Sequence, residues 1–396
     1  MIMCAVEWKS LEELGNFYGG LSGKSKEDFQ DGNAKFVTYM NVYSNMSLDF
    51  TIVDMVKVGE DEKQNSIKYG DILFTGSSET PDDCGMSCVV TRHIDEPIYL
   101  NSFCFGFRFD DVEKFEPDFL KHYFRCIAIR KAISLTASGV TRFNVSKKRF
   151  GKIQIPLLHV SKQQEIVSHL DAFTTLISNL ESELDMRRKQ YEHYRNQLLD
   201  FEGVEKLPLS EIFEMRGGYT PSTKNEEFWE DGILPWFRME DIRENGNILS
   251  DSTLHITPIA VKKNGLFPMN SIILATSATI GVHALLTVPA LSNQRFTAFY
   301  PKEKFEDKVN YKYTYYVFYI IDEWCKNNTV QGGFASVDMA GLRKYLFPLP
   351  SLAKQQEIVE KLDAFENLIQ SLDQEIKLRK QQYEYYREKL LTFEKE

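Results

Sequence analysis

Between residues 119 and 156 the chain holds no Asp or Glu, yet Lys121, Arg125, Arg130, Lys131, Arg142, Lys147, Lys148, Arg149 and Lys152 all fall there. Cations gathered in this way suit phosphate oxygens. The net charge of −10 excludes a protein that coats a polyanion by bulk attraction, so any such contact is local. Residues 19–25, GGLSGKS, resemble a phosphate-binding loop, but Gly19 leaves only three residues before Gly23 and Tyr18 stands where the first glycine belongs. A surface turn is the better reading. Cys84 and Cys88 with His93 make a lone CxxxC without a second pair, which does not amount to a metal site. No GxSxG, HExxH or paired CxxC occurs, and no Asn/Asp-Pro-Pro-aromatic motif. The expectation is therefore no catalytic residue, no metal and no cofactor in this chain.

The elements that would position these residues are set by an internal repeat. Residues 162–201 (KQQEIVSHLDAFTTLISNLESELDMRRKQYEHYRNQLLDF) align without a gap on residues 354–393 (KQQEIVEKLDAFENLIQSLDQEIKLRKQQYEYYREKLLTF), with about 23 of 40 positions identical. Neither copy contains Gly or Pro, and good helix formers dominate both. Ile166, Leu170, Phe173, Ile177, Leu180 and Leu184 alternate steps of four and three, and Arg187, Tyr191, Tyr194, Leu198 and Phe201 continue them. The second copy repeats the seam as Ile358, Leu362, Phe365, Ile369, Leu372 and Ile376, then Arg379, Tyr383, Tyr386, Leu390 and Phe393. A period of 3.5 predicts coiled-coil helices of about 60 Å. Periodicity alone favours pairing between chains. Ser161 with Gln164 reads as a capping box, Ser351 caps the second copy, and Gly203 follows the first helix. Arg187 and Arg379 interrupt the seam at one register; each either fixes that register or swings its head to solvent.

Residues 1–155 and 204–347 alternate short apolar runs with Gly, Asn, Asp and Ser turns, a mixed α+β pattern. GDILFTGSSE (70–79) matches NSIILATSAT (270–279), and LNSFCFGFRF (100–109) matches LSNQRFTAFY (291–300). Each pair precedes an aromatic amphipathic stretch, 115–133 and 311–324, read as one helix with its Tyr and Phe in the core. A glycine-bearing loop follows in each half, 138–150 and 331–345. Such loops on a rigid scaffold suit phosphates and base edges, against the plainer reading of solvated surface. A length of 396 residues allows two or three cores. No apolar run approaches the roughly 20 residues of a membrane span. The opening MIMCAVEWKS puts Glu7 and Lys9 where a secretory signal needs its apolar centre, and six unframed cysteines read as reduced thiols. A cytoplasmic location is expected.

The order of domain, helix with QQEIV, divergent domain and second such helix resembles the specificity subunits of type I restriction-modification enzymes. The resemblance covers essentially the whole chain. It rests most on IPLLHVSKQQEIVSHLDAF, FPLPSLAKQQEIVEKLDAF and residues 207–242 (LPLSEIFEMRGGYTPSTKNEEFWEDGILPWFRMEDI), while residues 6–25 match the family opening only loosely. It implies an α+β fold: two mixed α/β target recognition domains separated by two long helices that form an antiparallel intramolecular coiled coil, pseudo-twofold. The expected boundaries are 1–155, 156–203, 204–348 and 349–396. This replaces pairing between chains with pairing inside one.

The same resemblance implies that each domain reads one half of a bipartite DNA site while the helices set the spacing and dock two methyltransferase subunits, which motor-nuclease subunits join. S-adenosylmethionine would sit in the methyltransferase, ATP and magnesium in the motor-nuclease. Mapped by position, the DNA-contacting residues would be Ser77, Ser78, Ser138, Thr141, Arg142, Lys147, Lys148 and Arg149 in the first domain. In the second they would be Thr220, Ser222, Lys224, Arg238, Thr276, Ser277, Gln294, Arg295, Gln331 and Ser336. The cations suit phosphate and guanine, and Gln294 and Gln331 suit adenine. The alternatives are a coiled-coil scaffold that joins proteins without reading DNA, against which the basic strip argues, and an enzyme acting directly on DNA, against which the missing motifs argue.

Overall fold

The computed structural model describes residues 6–330 and 335–393. The chain divides into two compact units, Met1–Ser182 with Gln374–Glu396, and Glu183–Asp373. In the first, an antiparallel sheet runs in the order Gly15–Gly19, Cys104–Phe109, Ile72–Thr75, Ser87–Val89. The strand Ile72–Thr75 is fully buried because both of its faces are covered. Ile72 and Phe74 enter a core with Phe119, Phe124 and Ile133, whereas Leu73 enters another with Val37, Val42 and Leu100. A smaller sheet, Val53–Val56, Ala34–Val37 and Ile98–Leu100, lies within this unit.

The second unit follows the same plan. Its main sheet runs Phe213–Gly217, Phe296–Pro301, Ile272–Ala275, His283–Leu286, Ile248–Leu249. Ile272 and Leu274 face Phe318, Ile321 and Leu342, and Ile273 and Ala275 face Trp236, Phe237 and Ile242. Its smaller sheet is His255–Ile256, Leu234–Phe237 and Leu291–Ser292. Each domain is closed just before its long helix by a strand pair: Glu7–Ser10 against Gln154–Leu157, and Lys206–Pro208 against Leu346–Pro348.

The long helices are Val160–Leu198 and Leu352–Leu391, of 39 and 40 residues. In the first unit the early part of one runs antiparallel to the late part of the other: Phe173 stacks on Tyr386 at 5.4 Å and Lys380 pairs with Glu181 at 2.7 Å. In the second unit Tyr194 stacks on Phe365, also at 5.4 Å, and Arg188 pairs with Asp373 at 3.3 Å. The two seams therefore pair within the chain. Ile166, Leu170, Ile177, Leu184, Ile358, Leu362 and Ile376 are buried, and Phe173, Leu180, Phe365, Ile369 and Leu372 are half-buried. Arg187 and Arg379 turn back along their own helices: Arg187 binds Glu183 and Gln190, and Arg379 binds Glu375 and Gln382. Their heads do not lock the seam.

Three expectations about elements need correction. The first long helix begins at Val160, so Ser161 lies inside the first turn and hydrogen-bonds His159 at 2.8 Å, while Ser351 does precede the second helix. The stretch 115–133 is two helices, Pro117–Tyr123 and Ile127–Ser134. Arg125 sits at the break and donates to the carbonyls of Val42, Tyr43, Asn45 and Ser87. The repeat match of 100–109 with 291–300 runs one residue out. Ile72 pairs with Phe107 and Ile272 with Phe299, which equates Phe103 with Arg295 rather than with Gln294.

Candidate nucleic-acid interface

In the first unit the loop after Ile72–Thr75 carries Ser77 and Ser78 into a small sheet with Phe143–Val145 and Ala137–Ser138. That pairing brings Ser77, Ser78, Ser138, Thr141 and Arg142 into one region. Arg142 donates to Ser77 Oγ at 3.2 Å and lies over the ring of Phe103, 5.6 Å from its centre. Ser77, Ser78, Phe103, Thr141 and Arg142 border a cleft of about 560 Å³ that also takes in Tyr39, Met40, Tyr43, Glu79 and Asp83. Tyr39 is held by the Ser77 carbonyl at 2.9 Å, and Tyr43 donates to Asp83 at 3.2 Å. The Asp83 carboxylate and burial together raise the Tyr43 hydroxyl above its usual range. Two carboxylates disfavour a phosphate in the cleft and suit the amino groups of base edges, while Arg142 suits phosphate or guanine.

Lys147 and Lys148 open a short helix capped by Ser146, and both are exposed. Lys147 lies 5.2 Å from the centre of the Phe105 ring. Arg149 instead donates to the carbonyls of Leu135 and Ala137, clasping the loop. The basic strip is narrower than its sequence. Lys121 is paired with Asp118 and Asp171, Arg125 is tied to backbone as above, and Arg130 donates to the carbonyls of Asp82, Cys84 and Gly85. Burial pulls Arg130 down to about 10. These three cations hold the fold together. Lys24 of GGLSGKS is likewise structural: its ammonium bonds the Lys57 carbonyl and Glu62. Cys84 and Cys88 are buried, and the Cys84 thiol donates to the Phe143 carbonyl at 3.1 Å.

In the second unit the equivalent loop forms a bridge between Ser277 and Ser336, and Val337 N–H donates to the Thr276 carbonyl as Val145 does to Gly76. Thr276 is buried, its hydroxyl donating to the Arg295 carbonyl at 3.3 Å, so it is a support. Thr220 donates to Gln294 at 2.5 Å, bringing two expected residues together on the surface. Gly218 makes this possible, because a Cβ there would lie 2.3 Å from the Asn293 carbonyl; Gly20 has the same relation to Asn101. Ser222 accepts Trp229 Nε1 through its carbonyl, and Lys224 is exposed. Arg238 borders a separate cavity of about 800 Å³ with Trp229, Trp236, Glu226 and Glu230, and its buried Nε has no hydrogen-bond partner. Gln331 lies outside the described residues. Thus Ser277 and Ser336 meet, Thr220 and Gln294 meet, and Arg238 lines its own cavity.

Sequence reasoning missed the apolar residues of the first cleft, Tyr39, Met40 and Phe103. The signal was available: residues 234–245 match 34–45 as strand then helix, so the choice of Arg238 implied a partner near Thr38. It also missed the first Gln of each QQEIV. Gln163 accepts Glu116 N–H and donates to the carbonyls of Lys114 and Leu158, all at 2.8 Å. Gln355 accepts Asn310 N–H and donates to the carbonyls of Lys308 and Pro350, at 2.8 to 2.9 Å. Both are buried, and each joins a long helix to its domain.

The family model described as the type I restriction modification DNA specificity domain matches residues 5–186 and 202–378. The chain belongs to this family. This specificity-domain chain is 50% identical over 214 residues to the EcoprrI type I restriction enzyme specificity subunit of Escherichia coli, covering 51% of this chain and 53% of that one. It is 41% identical over 251 residues to the EcoR124I/EcoR124II specificity subunit of Escherichia coli, covering 59% and 60%. The matches thus span between half and two thirds of these relatives. Its fold is similar to a chain from a structure described as showing complex assembly and conformational transition of the type I R-M system, with TM-score 0.66, 16% identity, and 98% and 97% of the two chains covered. Among the described residues no helix is long and apolar enough to cross a membrane.

Proposed function

We propose that this specificity-domain chain is the non-catalytic DNA-reading subunit of a type I restriction-modification complex in the cytoplasm. Each domain reads one half of a bipartite site, and the repeated helices dock two methyltransferase subunits and set the gap between the halves. S-adenosylmethionine is then bound by the methyltransferase, and ATP and magnesium by motor-nuclease subunits that join the core. The observation that carries this reading is that two domains of one plan hold their surface loops with the same backbone bonds while the side chains on those loops differ. A scaffold that only joined proteins would not need that difference.

Mapping methylated adenines in the source genome with and without this gene tests the reading. Loss of methylation at one bipartite sequence is expected; an unchanged map contradicts it. The net charge of −10 and the small number of reading loops further imply that the chain alone binds DNA weakly and that the methyltransferase raises affinity. Tight, specific binding by the isolated chain in a gel shift would remove the need for partners.

A further inference from the structure

One surface position is built identically in the two domains and filled with opposite chemistry. In the first, Asn101 N–H donates to the Val37 carbonyl at 3.0 Å and its side-chain oxygen accepts Phe103 N–H at 2.9 Å, while the Phe103 carbonyl accepts Gly76 N–H at 2.7 Å. In the second, Asn293 N–H donates to Phe237 at 3.1 Å and its side chain accepts Arg295 N–H at 3.0 Å, while the Arg295 carbonyl accepts Thr276 N–H at 2.9 Å. Both backbone groups of residue 103 and of residue 295 are thus consumed in fixing the loop. Only the side chains are left to act.

Those side chains are both exposed. Phe103 is 58% exposed beside Met40 at 59%, at the mouth of the cleft that Arg142 borders. An aromatic ring held in water on a rigid loop gains only when apolar surface covers it. The carboxylates of Glu79 and Asp83 in the same cleft turn phosphate away, leaving base edges as the part of a duplex that fits. In the major groove the one apolar group on a base edge is the thymine methyl, whereas Arg matches guanine O6 and N7.

We propose that residues 103 and 295 are the same specificity-determining position of the two domains, Phe103 covering a thymine methyl in one half-site and Arg295 reading a guanine in the other. The proposal rests on the DNA-reading function above and names which position within it selects a base.

The test uses the full chain assembled with its methyltransferase, and a methylated-base map for wild type, F103A, F103R and R295A. F103R is expected to replace one thymine of one half-site by guanine and leave the other half-site unchanged; R295A should relax one guanine in the other half. In binding assays, deoxyuridine at the selected thymine, which lacks the methyl, should weaken wild type about fourfold and F103A no further. An F103R map identical to wild type, a half-site without thymine, or equal wild-type binding to thymine and deoxyuridine overturns the proposal. A wild-type map with no sequence that depends on this chain would instead remove the DNA-reading function itself. Because the ring is exposed, F103A tests the point even where F103R folds poorly.

Discussion

The two domains agree where side chains bond buried backbone and differ where side chains meet solvent. At the junctions, Gln163 and Gln355 make the same three bonds, and the buried Tyr383 and Tyr191 reach the polar partners His122 and Glu366 from the opposing helix. On the loops, the positions of Lys147, Lys148 and Arg149, counted from the caps Ser146 and Asp338, are Met339, Ala340 and Gly341 in the second domain. An unpaired buried carbonyl or N–H costs free energy in either domain, so the junction tolerates one solution. A loop residue whose backbone is already tied can change without that cost. The side chains that join helix to domain and those that vary between the domains are thereby separated in the chain.

The junction half of this comparison is open to the largest effect. Replacing the buried Gln163 by Ala removes the side-chain partner of one N–H and two carbonyls, and Q355A does the same in the second unit. Each is expected to lower unfolding free energy by about 3 kcal/mol. Denaturant titration of both variants checks it, and a loss in only one would break the equivalence of the junctions.

The loops should answer to salt. Changing Lys147 and Lys148 to Gln is expected to flatten the slope of log affinity against log salt by up to about 2, since each phosphate contact contributes about 0.9. Binding of the assembled complex over a salt series reads this. An unchanged slope returns the loop to ordinary surface.

The smallest effect separates the junctions by the sign of their pH response. Burial holds His122 below its ordinary 6.5, against the pull of Asp171 at 2.7 Å from Nε2; Tyr383 and Lys121 also face it. A lowered folded value gives stability that is present above pH 6.5 and lost as pH falls through that value. In the second unit burial raises Glu366 above 4.5, against the hydroxyls of Tyr191 and Tyr316, with Asp363 and Lys312 nearby. Its stabilisation is present below pH 4.5 and lost as pH rises through the raised value. H122Q should flatten the acid side of the stability profile and E366Q the other limb. Matching changes in both variants would contradict opposite signs.

How much of this was legible depended on how far apart the deciding atoms lie in sequence. The seam was readable because a 3.5 period is written locally, but its partner was not: periodicity alone favoured pairing between chains, and only the family resemblance placed both helices in one coiled coil. The helix start was misplaced by two residues because Ser161 fits a capping pattern, while the real start follows from Gln163 reaching back to Leu158 and across to Lys114. The break at Arg125 was invisible because it depends on carbonyls about 40 to 80 residues away. The one-residue slip at Phe103 arose because strand pairing and the Asn101 side chain, not similarity of residue types, set that register. Surface cations were overcounted for a related reason: charge is visible in sequence, and what it is spent on is not.

If the two domains are independent readers on a shared scaffold, as proposed, exchange of one domain leaves the other's half-site untouched. Residues 204–347 are replaced by the matching domain of a relative, the long helices being kept, and the methylated sequence is mapped for the assembled complex. One half-site is expected to change while the other stays as it was. Change in both halves, or in neither, would contradict it.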